Sequence, residues 1–345
     1  MKGLGMAGAT LTAGALLAGQ SRAQTKSGRS SKLTPGDVAI LQFVAFAEEI
    51  ESDLWEQYAE LGGLSAGTQN PYQLALQQLD GDASQYITSN TLDEISHAKF
   101  LNAYLQMRGA QPLNLSKFRT LPSSKASGAK PIGRLTNLMQ LTVDTSYYTR
   151  YRSTTNPDFG DTYPQAIVLA DVPAIPRDNS DFGPTDHVQA IANTAAFHFG
   201  AIEQGGSSLY SAMAQKAHDV EVLRVAVSIG GDEVAHFLEW VDFAGNGVQA
   251  PIAPFTDPTN GLTFPDFNAA DNPLLQTNLI FPLACEFINA NLPHCAVIRP
   301  TEPAGIAAGA VKAFTDSGLF IGQSNEFFDT LNAAAAAADA AQRGF

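Results

Sequence analysis

The chain has 345 residues, 45% hydrophobic and 16% charged, with a net charge of −14. That balance provides for a sizeable buried core and excludes disorder by composition. The acidic sign, with no run of lysines or arginines after the N-terminus, argues against nucleic acid and anionic membrane surfaces as partners and fits small molecules or cations.

The opening stretch, "MKGLGMAGATLTAGALLAGQSRAQT", sets Lys2 before a run of small and apolar residues that ends in Ser21-Arg22-Ala23. Small residues at 21 and 23 suit peptidase cleavage after Ala23, and the run is too short and too glycine-rich to span a bilayer. Residues 1–23 are therefore expected to be a signal peptide of twin-arginine texture lacking its arginine pair. The mature protein is then periplasmic or extracellular, with no membrane span. A Ser/Lys/Gly linker occupies 24–33. Of the two cysteines, Cys285 and Cys295, an oxidising compartment would make a short disulfide loop.

In chain order, Thr34 is a plausible N-cap with Pro35 at the first helical position, and Gly62-Gly63 are a stop signal. Between them Leu41, Val44, Glu48, Glu51, Trp55 and Tyr58 recur at three- and four-residue steps, one apolar face carrying two carboxylates. A second helical pattern runs from about Tyr72 to Arg108, with a break near Gly81. Residues 110–184 turn rich in Pro, Ser, Asn and Asp. This is an irregular insertion, with "YYTRYRSTT" and "AIVLADVPAIP" reading as extended segments. Helix resumes over 185–217, capped by Thr185/Asp186, and again over 219–247, ending at Gly-Asn-Gly. Residues 248–345 form a C-terminal extension, irregular at first and then with one or two peripheral helices. The fold class is all-α: helices 1–2 (34–109) and 3–4 (185–247) make a four-helix bundle with one long crossover.

Two of these helices carry the same motif, "DEISHAKFL" from Asp93 and "DEVAHFLEW" from Asp232. Glu and His at i and i+3 leave one side of a helix about a turn apart, and carboxylate plus imidazole suits iron, manganese or zinc. One E-x-x-H arises by chance in roughly one chain in four or five of this composition, so a single match means little. Two matches, each preceded by Asp and each inside an amphipathic helix, mean more. The other two helices complete the set: Glu48 with Trp55 seven positions on, and Glu203 with Tyr210 seven positions on. Candidate metal ligands are therefore Glu48, Glu51, Glu94, His97, Glu203, Glu233 and His236, with Glu48 and Glu51 both open for the first helix. Burying these carboxylates without compensation would cost several kcal/mol each.

Of the remaining ionisable residues, His187, His198, His218 and His294 read as ordinary histidines, and Glu49, Glu56, Glu60 and Glu239 as solvated helix-face charges. Asp93 and Asp232, four residues before His97 and His236, can orient those rings or be plain polar positions. Gly205-Gly206 and Gly230-Gly231 cost about 1 kcal/mol each inside a helix relative to alanine and suggest close packing or access. Trp55, Tyr58 and Tyr210 are either core or a redox relay.

The first-helix stretch "DVAILQFVAFAEEIESDLW" and "DEISHAKFL" resemble the ferritin-like superfamily, and more narrowly its exported members similar to plant desiccation-related proteins. The resemblance covers roughly 34–109 and 185–245. It implies ligand roles for Glu48, Glu94, His97, Glu203, Glu233 and His236 around two iron or manganese ions. With dioxygen or peroxide as partner, such a centre suits a ferroxidase or peroxide-consuming protective role. A structural stress protein and a manganese-catalase-like enzyme are the alternatives, and a homo-oligomer is allowed. A hollow storage cage fits poorly with the long insertion and extension.

Overall fold

Thr34 starts the first helix as its spacing predicts: Oγ1 accepts from Asp37 N at 3.0 Å, Pro35 follows, and α1 runs Pro35–Gly62. This computed structural model describes residues 32–66, 69–152, 163–269, 282, 284, 288–295 and 304–344. The expected signal peptide and Cys285 lie outside the described residues. The second pattern is two helices, α2 (Pro71–Leu79) and α3 (Ala83–Met107), parted at Asp80-Gly81. After the insertion come α5 (Thr185–Lys216) and α6 (Val220–Asn246). α1 packs on α3 and α5 on α6, so the two predicted hairpins exist, and the long crossover joins them.

Nearly every side of α1 is covered. α3 takes one face. From the extension, α8 (Asn325–Asp339) brings Phe327 to within 5.9 Å of the Phe46 ring. α8 also packs on α7 (Ile306–Asp316), so the tail closes the apolar core rather than trailing from it. The insertion holds α4 (Ser146–Arg150) and a two-stranded antiparallel ladder of β1 (Leu141–Val143) with β2 (Leu169–Val172). A second small ladder pairs β3 (Phe255–Thr256) with β4 (Thr263–Phe264).

Three local expectations are corrected. "YYTRYRSTT" is not extended where it is described: Tyr147 to Arg150 lie in α4, and Tyr147 and Tyr148 are both buried, Tyr148 edge-on to Phe197. Adjacent aromatics buried together need a helical turn, because alternation along a strand would expose one of them. α5 is not capped by a side chain. Pro184 is its N-cap and its carbonyl accepts from Val188 N at 3.1 Å, which leaves Thr185 and Asp186 inside the first turn. Glu60 is not solvated but buried, ion-paired with the fully buried Arg134 and accepting from Lys130 N at 2.9 Å.

One α1 residue fixes the insertion to the bundle. Asp53, fully buried, accepts at Oδ2 from Leu135 N and Thr136 N (2.9 Å each) and from Thr136 Oγ1 (2.7 Å). Its Oδ1 takes Arg119 Nη1 at 2.7 Å. Removing the carboxylate orphans two buried backbone donors and a cation at once. Asp53→Ala is expected to lower unfolding free energy by about 2–4 kcal/mol, read as a shift of the urea midpoint.

Candidate metal centre

Four helices project their carboxylates to one axis. Glu48 comes from α1, Glu94 and His97 from α3, Glu203 from α5, and Glu233 and His236 from α6. Glu48, Glu94, Glu203 and Glu233 are all almost completely shielded from solvent. The i, i+3 spacing does what it promises: within α3, His97 Nδ1 lies 3.3 Å from Glu94 Oε2. The same nitrogen is 3.3 Å from Glu48 Oε2 and 3.7 Å from Glu233 Oε1. His236 Nδ1 lies 3.1 Å from Glu94 Oε1 and 3.3 Å from Glu203 Oε2.

These contacts sort into two overlapping groups whose ligand atoms lie within 4.8 Å of one another: Glu48, Glu94, His97 and Glu233, and Glu94, Glu203, Glu233 and His236. Glu94 turns one oxygen toward each histidine. It and Glu233 are common to both groups; Glu48 and Glu203 belong to one each. Glu51 is buried as well but joins neither group. That places Glu48 in the position the first helix was expected to supply.

The orienting groups cross between the two halves. His97 Nε2 faces Asp232 Oδ2 at 3.2 Å, and His236 Nε2 faces Asp93 Oδ2 at 3.5 Å. Each aspartate thus serves mainly the histidine of the opposite hairpin rather than its own, although Asp232 also lies 3.8 Å from His236. With Nε2 turned to a carboxylate, Nδ1 is the nitrogen left for the centre. The aromatics cross in the same way. Tyr210 OH donates to Glu48 Oε1, and Trp55 Nε1 donates to Glu203 Oε1 at 3.0 Å. Asn90, not singled out in the sequence, donates to Glu94 Oε1 at 2.8 Å and Glu203 Oε1 at 3.2 Å, while Trp240 Nε1 donates to its Oδ1 at 2.6 Å. It sits four residues before Glu94 on the same helix face, the signal that would have found it.

The electrostatics are those of a dense acidic cluster out of water. Burial raises Glu48 to about 8 and pushes Glu51 and Glu233 well above the ordinary carboxylate range, with their carboxylate neighbours adding to it. Glu94 is the exception: burial opposes its charge, but hydrogen bonds from His236 and His97 bring it down to about 2. Burial likewise opposes charge on the histidines and is overcome, by Glu48 and Glu94 at His97 (about 10) and by Glu203 and Glu94 at His236 (about 12). Protons on the two imidazoles therefore offset part of the carboxylate charge.

One glycine is demanded by this geometry. A Cβ on Gly206 would lie 2.0 Å from Glu233 Oε2, whereas one on Gly205 would meet nothing within 4 Å. The costly Gly-Gly pair thus clears space for a shared carboxylate. The other two buried histidines lie outside the cluster: His187 lies between Asp181 (3.1 Å) and Asp257 (2.8 Å), and His198 meets Tyr58 OH at 2.7 Å. Among the described residues no helix is long and apolar enough to cross a membrane.

Residues 36–239 match the family model described as the ferritin-like domain, a stretch that contains every residue of the cluster. The chain belongs to that family. No curated protein and no solved structure matches it.

Gly206→Ala is expected to weaken divalent-metal affinity by about 10- to 100-fold by displacing Glu233, while Gly205→Ala leaves it unchanged. Titration of the metal-free protein by isothermal calorimetry checks both.

Proposed function

We propose that the cluster binds two iron or manganese ions. Glu48, His97 and Glu203, His236 are the ligands particular to each ion, Glu94 and Glu233 are shared, and Glu51 stands by. The observation that carries this is the sharing itself: two four-residue groups overlap in two carboxylates. The donors also fit the group. Glu48 Oε2, Glu203 Oε2 and both Glu233 oxygens are buried and make no hydrogen bond. Oxygen and imidazole donors suit iron and manganese, and four carboxylate charges balance two divalent ions. Bound there, such a pair supplies two-electron redox chemistry toward dioxygen or peroxide.

The chain's own residues do the rest. Asp232 and Asp93 stand beside Nε2 of His97 and His236, which leaves each Nδ1 inward, while Tyr210 and Trp55 fix one oxygen of each unshared carboxylate and the apolar bundle excludes bulk water. The function we favour is an exported, stress-protective oxidoreductase, ferroxidase- or peroxidase-like. Support for export is the leader-like segment 1–23. Support for the stress role is the resemblance of α1 and α3 to desiccation-related proteins. Self-association belongs to the same proposal, supported by exposed Leu92, Phe100 and Met107 on α3 and Val220, Val227 and Leu238 on α6.

The test is metal content per chain, then response to oxidant. Protein purified without chelator is expected to carry close to two iron or manganese per chain and to change its optical spectrum with dioxygen or peroxide. Glu94→Ala/Glu233→Ala is expected to lose both metals, and retention of two would overturn the ligand assignment. Oxygen release from peroxide by the manganese form alone would move the reading to a catalase. A lower Tm on chelation with no optical response would leave the metals a structural staple.

Acidity gives a second test. Glu48 and His97 hold protons at neutral pH that a metal must displace, so apparent affinity rises with pH between about pH 6 and pH 8, with proton release on binding. Calorimetry in buffers of different ionisation enthalpy reads the protons, and a pH-independent affinity contradicts the assignment.

A further inference from the structure

Trp55 links the cluster to a second buried arrangement. Its indole N–H is donated to Glu203, and its ring stacks on Phe199 with centroids 4.7 Å apart and lies 5.7 Å from Tyr58. Phe199 meets Tyr58 edge-on at 4.6 Å, and Trp240 lies 5.3 Å from Trp55. Tyr58 OH is 2.7 Å from His198 Nδ1, and both residues are shut off from solvent. Aromatic packing alone would explain the rings but not the histidine, whose Nε2 is buried with no hydrogen-bond partner. A buried orphan of this kind is destabilising, and phenylalanine at 198 would avoid it.

Burial keeps His198 neutral, lowered to about 3, and pushes the Tyr58 phenol well above its ordinary value. A proton on Nδ1 would leave both the phenol hydrogen and the Nε2 lone pair without partners. A proton on Nε2 leaves that one N–H alone, so the phenol donates to Nδ1. A neutral base is thus hydrogen-bonded to a phenol that lies against a tryptophan tied to the cluster.

We propose that Trp55, Tyr58 and His198 form a proton-coupled electron relay that carries an oxidising equivalent away from the Glu203 end of the cluster. When a one-electron oxidant removes an electron from Trp55, Tyr58 replaces it and passes its phenolic proton to His198 Nδ1. The products are a neutral tyrosyl radical and an imidazolium, and no other bond is made or broken. In the working protein the oxidising equivalent would come from the two-metal centre that the cluster would hold, so the relay rests on the function proposed above. It would keep a damaging hole inside the bundle until a reductant removes it.

The test needs no metal. Both tryptophans of the chain, Trp55 and Trp240, lie in this aromatic cluster, so ultraviolet laser photoionisation of the metal-free full chain creates the hole there. Transient absorption is expected to show the tryptophan radical decaying as a tyrosyl radical rises. Tyr58→Phe is expected to slow that decay by about ten-fold or more. His198→Gln, whose amide can accept the phenol's hydrogen bond but not its proton, is expected to slow it comparably while circular dichroism stays native. An unchanged decay in Tyr58→Phe overturns the relay, and an unchanged decay in His198→Gln overturns the proton step and with it the proposal. Loss of metal binding would instead be seen in metal content, so the two failures are told apart.

Discussion

Four carboxylates share one dry axis of a helical bundle, and the surrounding structure is arranged to make that tolerable. An unpaired charge in such a place costs several kcal/mol, and four together repel one another as well. Two imidazoles, two aromatic donors and one amide meet the cluster from all four helices. Even so, oxygens of three of the glutamates accept no hydrogen bond, and these are the atoms a pair of divalent ions would satisfy.

Crossing is the device that makes two hairpins into one site. Asp93 and Trp55 of the first half reach His236 and Glu203 of the second, while Asp232 and Tyr210 reach back to His97 and Glu48. Neither hairpin alone holds either of the two four-residue groups. The long crossover must therefore be held firmly. Asp53 does this from α1, five residues after Glu48 on a helix that the insertion and α8 enclose.

Much of this could be read from the chain because it is periodic. Glu48, Glu94, His97, Glu203, Glu233 and His236 sit at helical spacing within their helices, and the chain announces the start and stop of α1 at Thr34 and Gly63 and the stop of α6 at Gly247. What stayed hidden depends on partners far apart in sequence. The crossing of Asp93 and Asp232 follows from the stagger between α3 and α6, which no single helix encodes. Glu60 looked solvated because Arg134 comes from an insertion without periodicity, and α4 looked extended because its adjacent tyrosines mimic strand composition. That Glu48 joins the clustered groups and Glu51 does not turned on where three other helices stand.

Anomalous diffraction at the iron and manganese edges, on crystals of metal-loaded protein, tests the central claim most directly. The account predicts two peaks, one beside Glu48 and His97 and one beside Glu203 and His236, both in contact with Glu94 and Glu233. A single peak, or peaks at Asp93 and Asp232 away from the buried carboxylates, would contradict it.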